Sequence, residues 1–113
     1  MAIEIKIKAF ENFPPSKNQL YWGKAVKNRW IKHFQREFQK EIEKIQNYRW
    51  VRLIVVFELS ESRFKRFEIQ NYIETICDAL FGYHKDHRIV EIKALKQLGE
   101  QNKLIIKVEP FQV

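Results

Sequence analysis

The first residues of the chain show the alternation expected of a half-buried strand. Isoleucines at positions 3, 5 and 7 alternate with Glu4, Lys6 and Lys8, so every second side chain can face a core while the others face water. We therefore predict a β-strand over residues 3–10. The segment Pro14-Pro15-Ser16-Lys17-Asn18 follows it, and because consecutive prolines remove backbone donors and fix φ, it predicts a structured loop.

The region between Ala25 and Gln46 has the period of a long amphipathic helix. It contains neither glycine nor proline, and apolar side chains recur at spacings of three and four: Val26, Trp30, Phe34, Phe38, Ile42 and Ile45. Basic side chains occupy its outer face, and three more cluster at its beginning: Lys24, Lys27 and Arg29. Because positive charge at a helix N-terminus opposes the helix dipole, these cations either serve binding or belong to a solvated face.

The remaining periodic segments complete one predicted domain. Residues 52–59 are β-branched and nearly all apolar, as in a central strand covered on both faces. Isoleucines at 69, 73 and 76 predict a second helix that stops at Gly82. Residues 88–96 and 103–108 predict two strands joined by a hairpin turn at 99–102. We therefore predict a single α/β domain over residues 1–113, in the order β-α-β-α-β-β, with a four-stranded mixed sheet and two helices.

The charge of the chain narrows the range of partners to be expected. Lysine plus arginine number 21 against 14 for aspartate plus glutamate, a formal charge of +7. This excess favours polyanionic partners, although a small basic protein can also bind nothing acidic. The longest aliphatic run, residues 53–57, is too short to span a membrane. The single cysteine, Cys77, can form no intramolecular disulfide and sits among apolar positions, so we expect a buried thiol and a cytoplasmic protein.

Motifs for nucleotide cofactors and metal-binding histidines are missing from the sequence. It contains no GxxxxGK[ST], GxGxxG or GxSxG segment, so we expect no nucleotide cofactor. His33 and His84 have no metal-ligand spacing, and we expect ordinary surface or boundary histidines at both positions.

An ordered set of short motifs occupies the second half of the chain. It consists of Asn71, Asp78-Ala79-Leu80, Gly82, Lys85-Asp86 and Val90-Glu91. With the Pro-Pro-Ser-Lys-Asn loop near the N-terminus, this set resembles the RusA family of Holliday-junction resolvases. The resemblance implies a RusA-like fold and a homodimeric, Mg²⁺-dependent endonuclease that cuts four-way DNA junctions and holds its metal with aspartates.

The acidic positions depart from the pattern of that family. Glu68 stands where the family has its first aspartate, Gln70 replaces the second, Asp86 is kept, and His87 replaces its acidic neighbour. Such mixed oxygen and nitrogen ligands suit Mn²⁺ better than Mg²⁺. Glu74 stands where the resemblance leads one to expect a lysine, so a carboxylate can have moved by one helical turn.

We therefore predict a shifted catalytic site of Glu68, Glu74 and Asp86, with Asp78 behind it. A Mg²⁺ or Mn²⁺ ion would be held by a set of four side chains, namely Glu68, Gln70, Asp86 and His87. In the alternative interpretation, the acidic residues in the first helical turns only compensate the helix dipole.

The candidate DNA contacts are basic or polar side chains flanked by aromatic residues. They are Lys17, Asn18, Lys24, Lys27, Arg29, Arg63, Lys65 and Arg66. Neighbouring rings such as Tyr21, Trp22 and Phe64 could stack on unpaired bases at a branch point. Together with these contacts, the resemblance to the RusA family implies a metal-dependent endonuclease for branched DNA. The alternatives are a catalytically inactive protein that binds structured DNA on the same fold, and an RNA- or protein-binding domain that shares the scaffold.

Overall fold

The structure is a computed structural model that describes residues 2–16, 24–82 and 86–113. Its strands are β1 (Ile3–Lys8), β2 (Val51–Leu59), β3 (Ile89–Leu98) and β4 (Lys103–Pro110). Its helices are α1 (Lys24–Glu37), α2 (Gln39–Ile45), α3 (Glu61–Phe64) and α4 (Gln70–Phe81), and short 3₁₀ turns lie at Phe10–Asn12 and Asp86–Arg88. The predicted α/β class with a four-stranded mixed sheet is confirmed.

The sheet has the order β1-β4-β2-β3. β4 is antiparallel to both β1 and β2, and β2 is parallel to β3. The predicted hairpin between the last two strands is wrong, because β2 lies between them. The 99–102 segment instead passes the end of β2, where the Gly99 N–H donates to the Leu59 carbonyl (2.9 Å) and the Ser60 N–H donates to Asn102 Oδ1 (3.0 Å).

One face of the sheet carries the core. Alternate side chains of β1, β2 and β4 point into it and are buried: Ile3, Ile5, Ile7, Val51, Leu53, Val55, Phe57, Leu59, Leu104, Ile106 and Val108. Phe34, Ile45, Ile76 and Leu80 from the helices belong to the same cluster. The opposite face of β2 is only half-buried. The strand is central, as predicted, but the prediction that it is covered on both faces is wrong.

The predicted long helix is divided in two. Phe38 has φ −110° and ψ 31°, and it separates α1 from α2. Its ring packs 5.0 Å from that of Phe34, so the bend keeps an aromatic side chain on the core without glycine or proline. A further one-turn helix, α3, forms in the polar segment after β2. The described residues therefore form four helices rather than the two predicted.

The predicted end of the second helix is confirmed. Gly82 has φ 78°, and its N–H donates to the Asp78 carbonyl (2.8 Å), because a residue without a side chain takes this left-handed φ at little cost. Within the described ranges, none of the helices has both the length and the apolar composition needed to cross a bilayer.

Candidate nucleic-acid interface

Three predicted DNA-binding residues surround one cleft, which we call the basic cleft. Arg63, Lys65 and Arg66 are exposed and line a cleft of about 610 Å³ together with Ser62, Phe10, Phe67 and Tyr72. These cations lie on α3 and the turn that follows it. The Lys96 ammonium of β3 fixes this turn by donating to the carbonyls of Phe64 (2.7 Å) and Phe67 (3.0 Å). The strand thus holds the basic segment in position.

Aromatic rings form the wall of the basic cleft. Phe67 stacks on Tyr72 with centroids 4.4 Å apart and planes within 7°, and Phe10 meets Phe67 edge-on at 6.4 Å. The Arg63 guanidinium lies 3.7 Å from the centroid of the Phe10 ring, a cation–π contact that limits its motion. The cleft therefore combines exposed cations with one half-buried ring, Phe10, and two buried rings, Phe67 and Tyr72.

Tyr72 contributes a neutral phenol to this wall. Burial raises the pKa of Tyr72 above its ordinary value of 10.0, while a hydrogen bond with Ser16 and the charge of Arg63 lower the pKa in part. Because the net shift is upward, the hydroxyl stays protonated at neutral pH. Tyr72 thus adds a ring and a hydroxyl group, and no negative charge, beside the cations.

Lys27 does not belong to the exposed basic surface. Its Nζ lies 2.6 Å from Asp78 Oδ2, and the two side chains are 11% and 14% exposed. Lys27 shares the buried stripe of α1 with Ile31 and Phe34, so the helix directs it toward α4. The prediction that Lys27 contacts DNA therefore disagrees with its position. Phe34 is buried as predicted, but the other two buried positions of α1 lie one residue after the predicted Val26 and Trp30, and Val26 is exposed.

The other candidate DNA contacts on α1 are exposed. Lys24 and Arg29 point to solvent, and Arg29 lines a groove of about 980 Å³ between β1 and α1. The 3₁₀ turn Phe10–Asn12 separates this groove from the basic cleft, since Phe10 lines the cleft and Asn12 lines the groove. Lys17 and Asn18 lie outside the described residues.

The predicted acidic residues occupy the N-terminal end of α4. Glu68 is exposed just before the helix, and its carboxylate accepts a hydrogen bond from Asn71 Nδ2 (3.1 Å). Gln70 and Glu74 are exposed within the first two turns. Glu68 follows Arg66 and Phe67 in sequence, but it is not among the residues that line the basic cleft.

Asp86 and His87 lie at the other end of α4. They belong to the 3₁₀ turn that leads into β3, His87 is exposed, and the side chain of Asp86 lies outside the described part. The twelve residues of α4 span about 18 Å. Arg88 stands eight positions before Lys96, whose ammonium contacts Phe67, and eight steps along an extended strand correspond to about 26 Å.

Glu68 and His87 are therefore not brought together within one chain. Among the described residues, no group of three or more histidine, cysteine, aspartate or glutamate side chains could hold a metal ion. The predicted ligands, as far as the structure describes them, do not fit a single Mg²⁺ or Mn²⁺ ion in an isolated chain.

Sequence reasoning missed the residues that position these surfaces. The Arg88 guanidinium donates to the carbonyls of Ile45 (3.0 Å), Gln46 (3.3 Å) and Tyr48, and it thereby caps α2. Lys96 does the same for the turn after α3. Both were predicted only as strand residues, since their role depends on carbonyls that are distant in sequence.

A comparison with models of known protein families and a comparison with curated protein sequences both find no match. The function of the chain must therefore be argued from its own residues.

Proposed function

We propose that this protein binds branched DNA through the basic cleft. The observation that carries the proposal is the position of Arg63, Lys65 and Arg66 on the rim of a cleft walled by Phe10 and Tyr72. Arginine and lysine bind phosphates, and the half-buried Phe10 ring is the aromatic side chain of the cleft that an unpaired base could reach. A branch point offers phosphates and bases at once, because the phosphates of several arms lie close together there and the bases at the inner ends of the arms are exposed.

The overall charge supports the same partner. The formal charge of +7 favours association with a polyanion and release of its counterions. Lys24 and Arg29 on the neighbouring helix extend the positive surface beyond the cleft, so more than one arm of a junction can meet basic side chains. The stack of Phe67 on Tyr72 keeps the cleft wall rigid, which limits the conformational entropy lost on binding.

The test is a native-gel titration of a labelled four-way junction, with a linear duplex of equal length as the comparison. The variant Lys65→Gln/Arg66→Gln removes two charges from the cleft, and Lys40→Gln/Lys44→Gln removes two exposed charges from α2. We expect the cleft variant to weaken junction binding by about tenfold or more and the α2 variant by no more than about threefold. Equal losses for the two variants would place the DNA elsewhere.

A second proposed function is metal-dependent cleavage of the bound DNA by a homodimer. The exposed Glu68 carboxylate, two residues after Arg66 of the basic cleft, favours it, since a metal ion held there would be near a phosphate bound by the neighbouring cations. Asp86 of the same chain is at the far end of α4, so a shared Mg²⁺ or Mn²⁺ ion requires a second copy of the chain. A two-fold symmetric dimer also matches the two-fold symmetry of a four-way junction.

Cleavage is tested on a denaturing gel with the same junction and duplex, in Mg²⁺ and separately in Mn²⁺. Glu68→Gln removes the proposed ligand, and Glu43→Gln removes an exposed carboxylate from α2 as the control. We expect symmetric cuts in the junction by the natural chain and by Glu43→Gln, and none by Glu68→Gln. If the natural chain shifts the junction on a native gel but cuts nothing in either metal, the protein is a DNA-binding protein without nuclease activity.

A further inference from the structure

The outer edge of β1 borders the groove between β1 and α1. Among the described residues β1 pairs only with β4, so its other side has no strand beside it. The groove holds about 980 Å³, within the range of ligand-binding clefts, and we call it the β1 groove. Its apolar lining consists of Ile7, Val26, Trp30, Phe34 and Phe38. An open strand edge thus lies next to an apolar groove.

The backbone hydrogen-bonding groups of β1 alternate between β4 and the open edge. The Ala9 N–H donates to the Asn102 carbonyl on the β4 side (3.0 Å). On the other side, the Lys8 carbonyl accepts a hydrogen bond from Asn12 Nδ2 (3.0 Å). Because successive residues of a strand direct these groups to opposite sides, the isoleucines of β1 bond to β4, and the charged residues between them direct their N–H and carbonyl groups to the open edge.

The charge at this edge selects the kind of strand that fits. Lys6 and Lys8 are exposed on β1, and the exposed Arg29 lines the groove from α1. The acidic side chains of the lining are Glu11 and Glu37, and Glu37 forms an ion pair with the histidine one turn before it (3.3 Å). Lysines on an edge strand oppose pairing with apolar or basic strands. Carboxylates opposite the lysines would instead stabilise a pair.

We propose that β1 pairs with an extended segment of another protein in which apolar and acidic side chains alternate. Residues directly opposite each other in neighbouring strands share one face of the sheet. Two carboxylates two residues apart therefore face Lys6 and Lys8, while the apolar side chain between them enters the β1 groove beside Ile7 and Trp30. The backbone bonds supply affinity, and the groove and the lysines select the sequence.

The wall of the β1 groove is held in place within the chain itself. The Trp30 Nε1–H donates to the Asn12 carbonyl (3.0 Å), so the indole is tied to the 3₁₀ turn after β1. Its ring stacks on Phe34 with centroids 5.0 Å apart and planes within 25°. A partner therefore meets a preformed surface, which limits the entropy lost on binding.

This inference does not depend on DNA binding or on cleavage. The Phe10–Asn12 turn separates the β1 groove from the basic cleft, because Phe10 lines only the cleft and Asn12 lines only the groove. The partner of β1 and a DNA in the basic cleft therefore occupy different surfaces.

Fluorescence anisotropy with a labelled peptide tests the pairing in the absence of DNA and metal. The probe is Ser-Val-Glu-Leu-Glu-Val-Ser, and the matched control is Ser-Val-Leu-Glu-Glu-Val-Ser, which has the same composition without the alternation. We expect the probe to bind with a Kd of about 10–100 µM. The control should bind about tenfold more weakly, because its carboxylates cannot face Lys6 and Lys8 together. Equal affinities would contradict the proposed selection of sequence.

Two variants of one residue separate the backbone contribution from the charge. Lys6→Ala and Lys6→Pro both remove the ammonium group, but only Lys6→Pro also removes the N–H that faces the open edge. Neither change removes a bond between β1 and β4, and proline is tolerated at such edge positions. We expect Lys6→Ala to weaken peptide binding by about threefold and Lys6→Pro by about thirtyfold. Equal losses would show that the peptide does not bond to the strand edge.

A second pair of variants tests the groove. Val26 is 39% exposed, so Val26→Asp changes the groove lining without opening the core, and it should weaken peptide binding by about tenfold. Ala25→Asp adds the same charge at the exposed neighbouring position of α1, outside the groove lining, and should have a much smaller effect. Equal losses would place the peptide outside the β1 groove.

Amide hydrogen exchange identifies the strand edge directly. In the free chain, the amides of Glu4 and Lys6 should exchange faster than those of Ile5 and Ile7, since only the isoleucines bond to β4. A saturating concentration of the peptide should slow the amides of Glu4 and Lys6 by about tenfold or more and leave those of Ile5 and Ile7 unchanged.

Several results would overturn the proposal. Slowing of the Glu4 and Lys6 amides by junction DNA and not by the peptide would assign the edge to DNA. Slowing that rises with the concentration of the chain alone would assign it to a second copy. Bound peptide that leaves both amides fast, or no anisotropy change at about 1 mM peptide, would exclude the pairing. Because the peptide readouts need neither DNA nor metal, they are independent of the proposed DNA binding and cleavage.

Discussion

A buried lysine shows how the position of one residue within a helix decides its role. The sequence places Lys27 in a basic helix start, but α1 directs its side chain onto Asp78 of α4. An ion pair taken out of water is costly to form and more costly to break, because the remaining charge stays buried without its partner. The pair therefore fixes how α1 sits against α4.

We predict that Lys27→Met lowers the free energy of unfolding by about 3 kcal/mol, since it leaves the Asp78 carboxylate buried and unpaired. The double variant Lys27→Met/Asp78→Leu should recover most of that loss, because neither charge remains. Urea denaturation measures both. The exposed Lys24→Met serves as the control and should change the free energy of unfolding by less than about 0.5 kcal/mol. A double variant as unstable as the single one would exclude the unpaired charge as the cause.

Tyr72 gives the protein a pH dependence of stability on the alkaline side. Its pKa in the folded state is raised by burial, so the folded chain holds the phenolic proton more tightly than the unfolded chain. The stabilisation is complete below the unfolded pKa of 10.0 and is lost as the pH rises through the folded pKa. We predict that Tyr72→Phe makes the free energy of unfolding fall less steeply above about pH 10. Parallel curves for the two proteins, from denaturation at several pH values, would refute this.

At the scale of elements, alternation and helical period predicted most of the secondary structure. Strand β2 and helix α4 formed close to the predicted limits, because β2 is a nearly continuous apolar run and α4 has apolar residues at helical spacing. The bend at Phe38 was not predictable, since neither glycine nor proline marks it in the sequence. The predicted hairpin at 99–102 was wrong because the order of strands depends on contacts between residues that are distant in sequence. A turn sequence shows that the chain reverses, but not that β2 takes the place between the two strands.

Arg88 connects two elements that the sequence does not connect. Its guanidinium binds the carbonyl end of α2 from the turn that leads into β3. We predict that Arg88→Lys lowers the free energy of unfolding by about 1–3 kcal/mol, because a single ammonium group cannot replace a planar fork of donors and a buried carbonyl loses its partner.

Hydrogen exchange should show where this loss occurs. The amides of α2 are expected to exchange faster in Arg88→Lys, while those of β4 follow only the global change in stability. Lys44→Gln removes a charge from the last turn of the same helix and should cost only a few tenths of a kcal/mol. If Lys44→Gln is as destabilising as Arg88→Lys, general charge near the helix end matters and the directed hydrogen bonds do not.

For the whole molecule, the sequence predicted a basic surface and a set of acidic residues. The two sets differ in whether their members lie together in the fold. Arg63, Lys65 and Arg66 are close in sequence, so their clustering follows from local structure. The acidic set was spread over nearly twenty positions, from Glu68 to His87, and its convergence depended on the path between them. Helix α4 lies between Glu68 and His87 and keeps the two ends of the acidic set apart within one chain. The spacing of these residues in the sequence does not reveal this separation.

The extent of the DNA-binding surface follows from salt dependence. Each phosphate that a variant no longer neutralises should reduce the slope of log affinity against log salt concentration by about 0.9 for duplex arms. If junction DNA covers α1 as well as the basic cleft, Lys24→Gln/Arg29→Gln should lower the slope by about as much as Lys65→Gln/Arg66→Gln, and all four changes together should add. Anisotropy titrations of a labelled junction from low to physiological salt measure these slopes. If Lys24→Gln/Arg29→Gln leaves the slope unchanged, the DNA is confined to the basic cleft. The Phe10–Asn12 turn is then the limit of the binding surface.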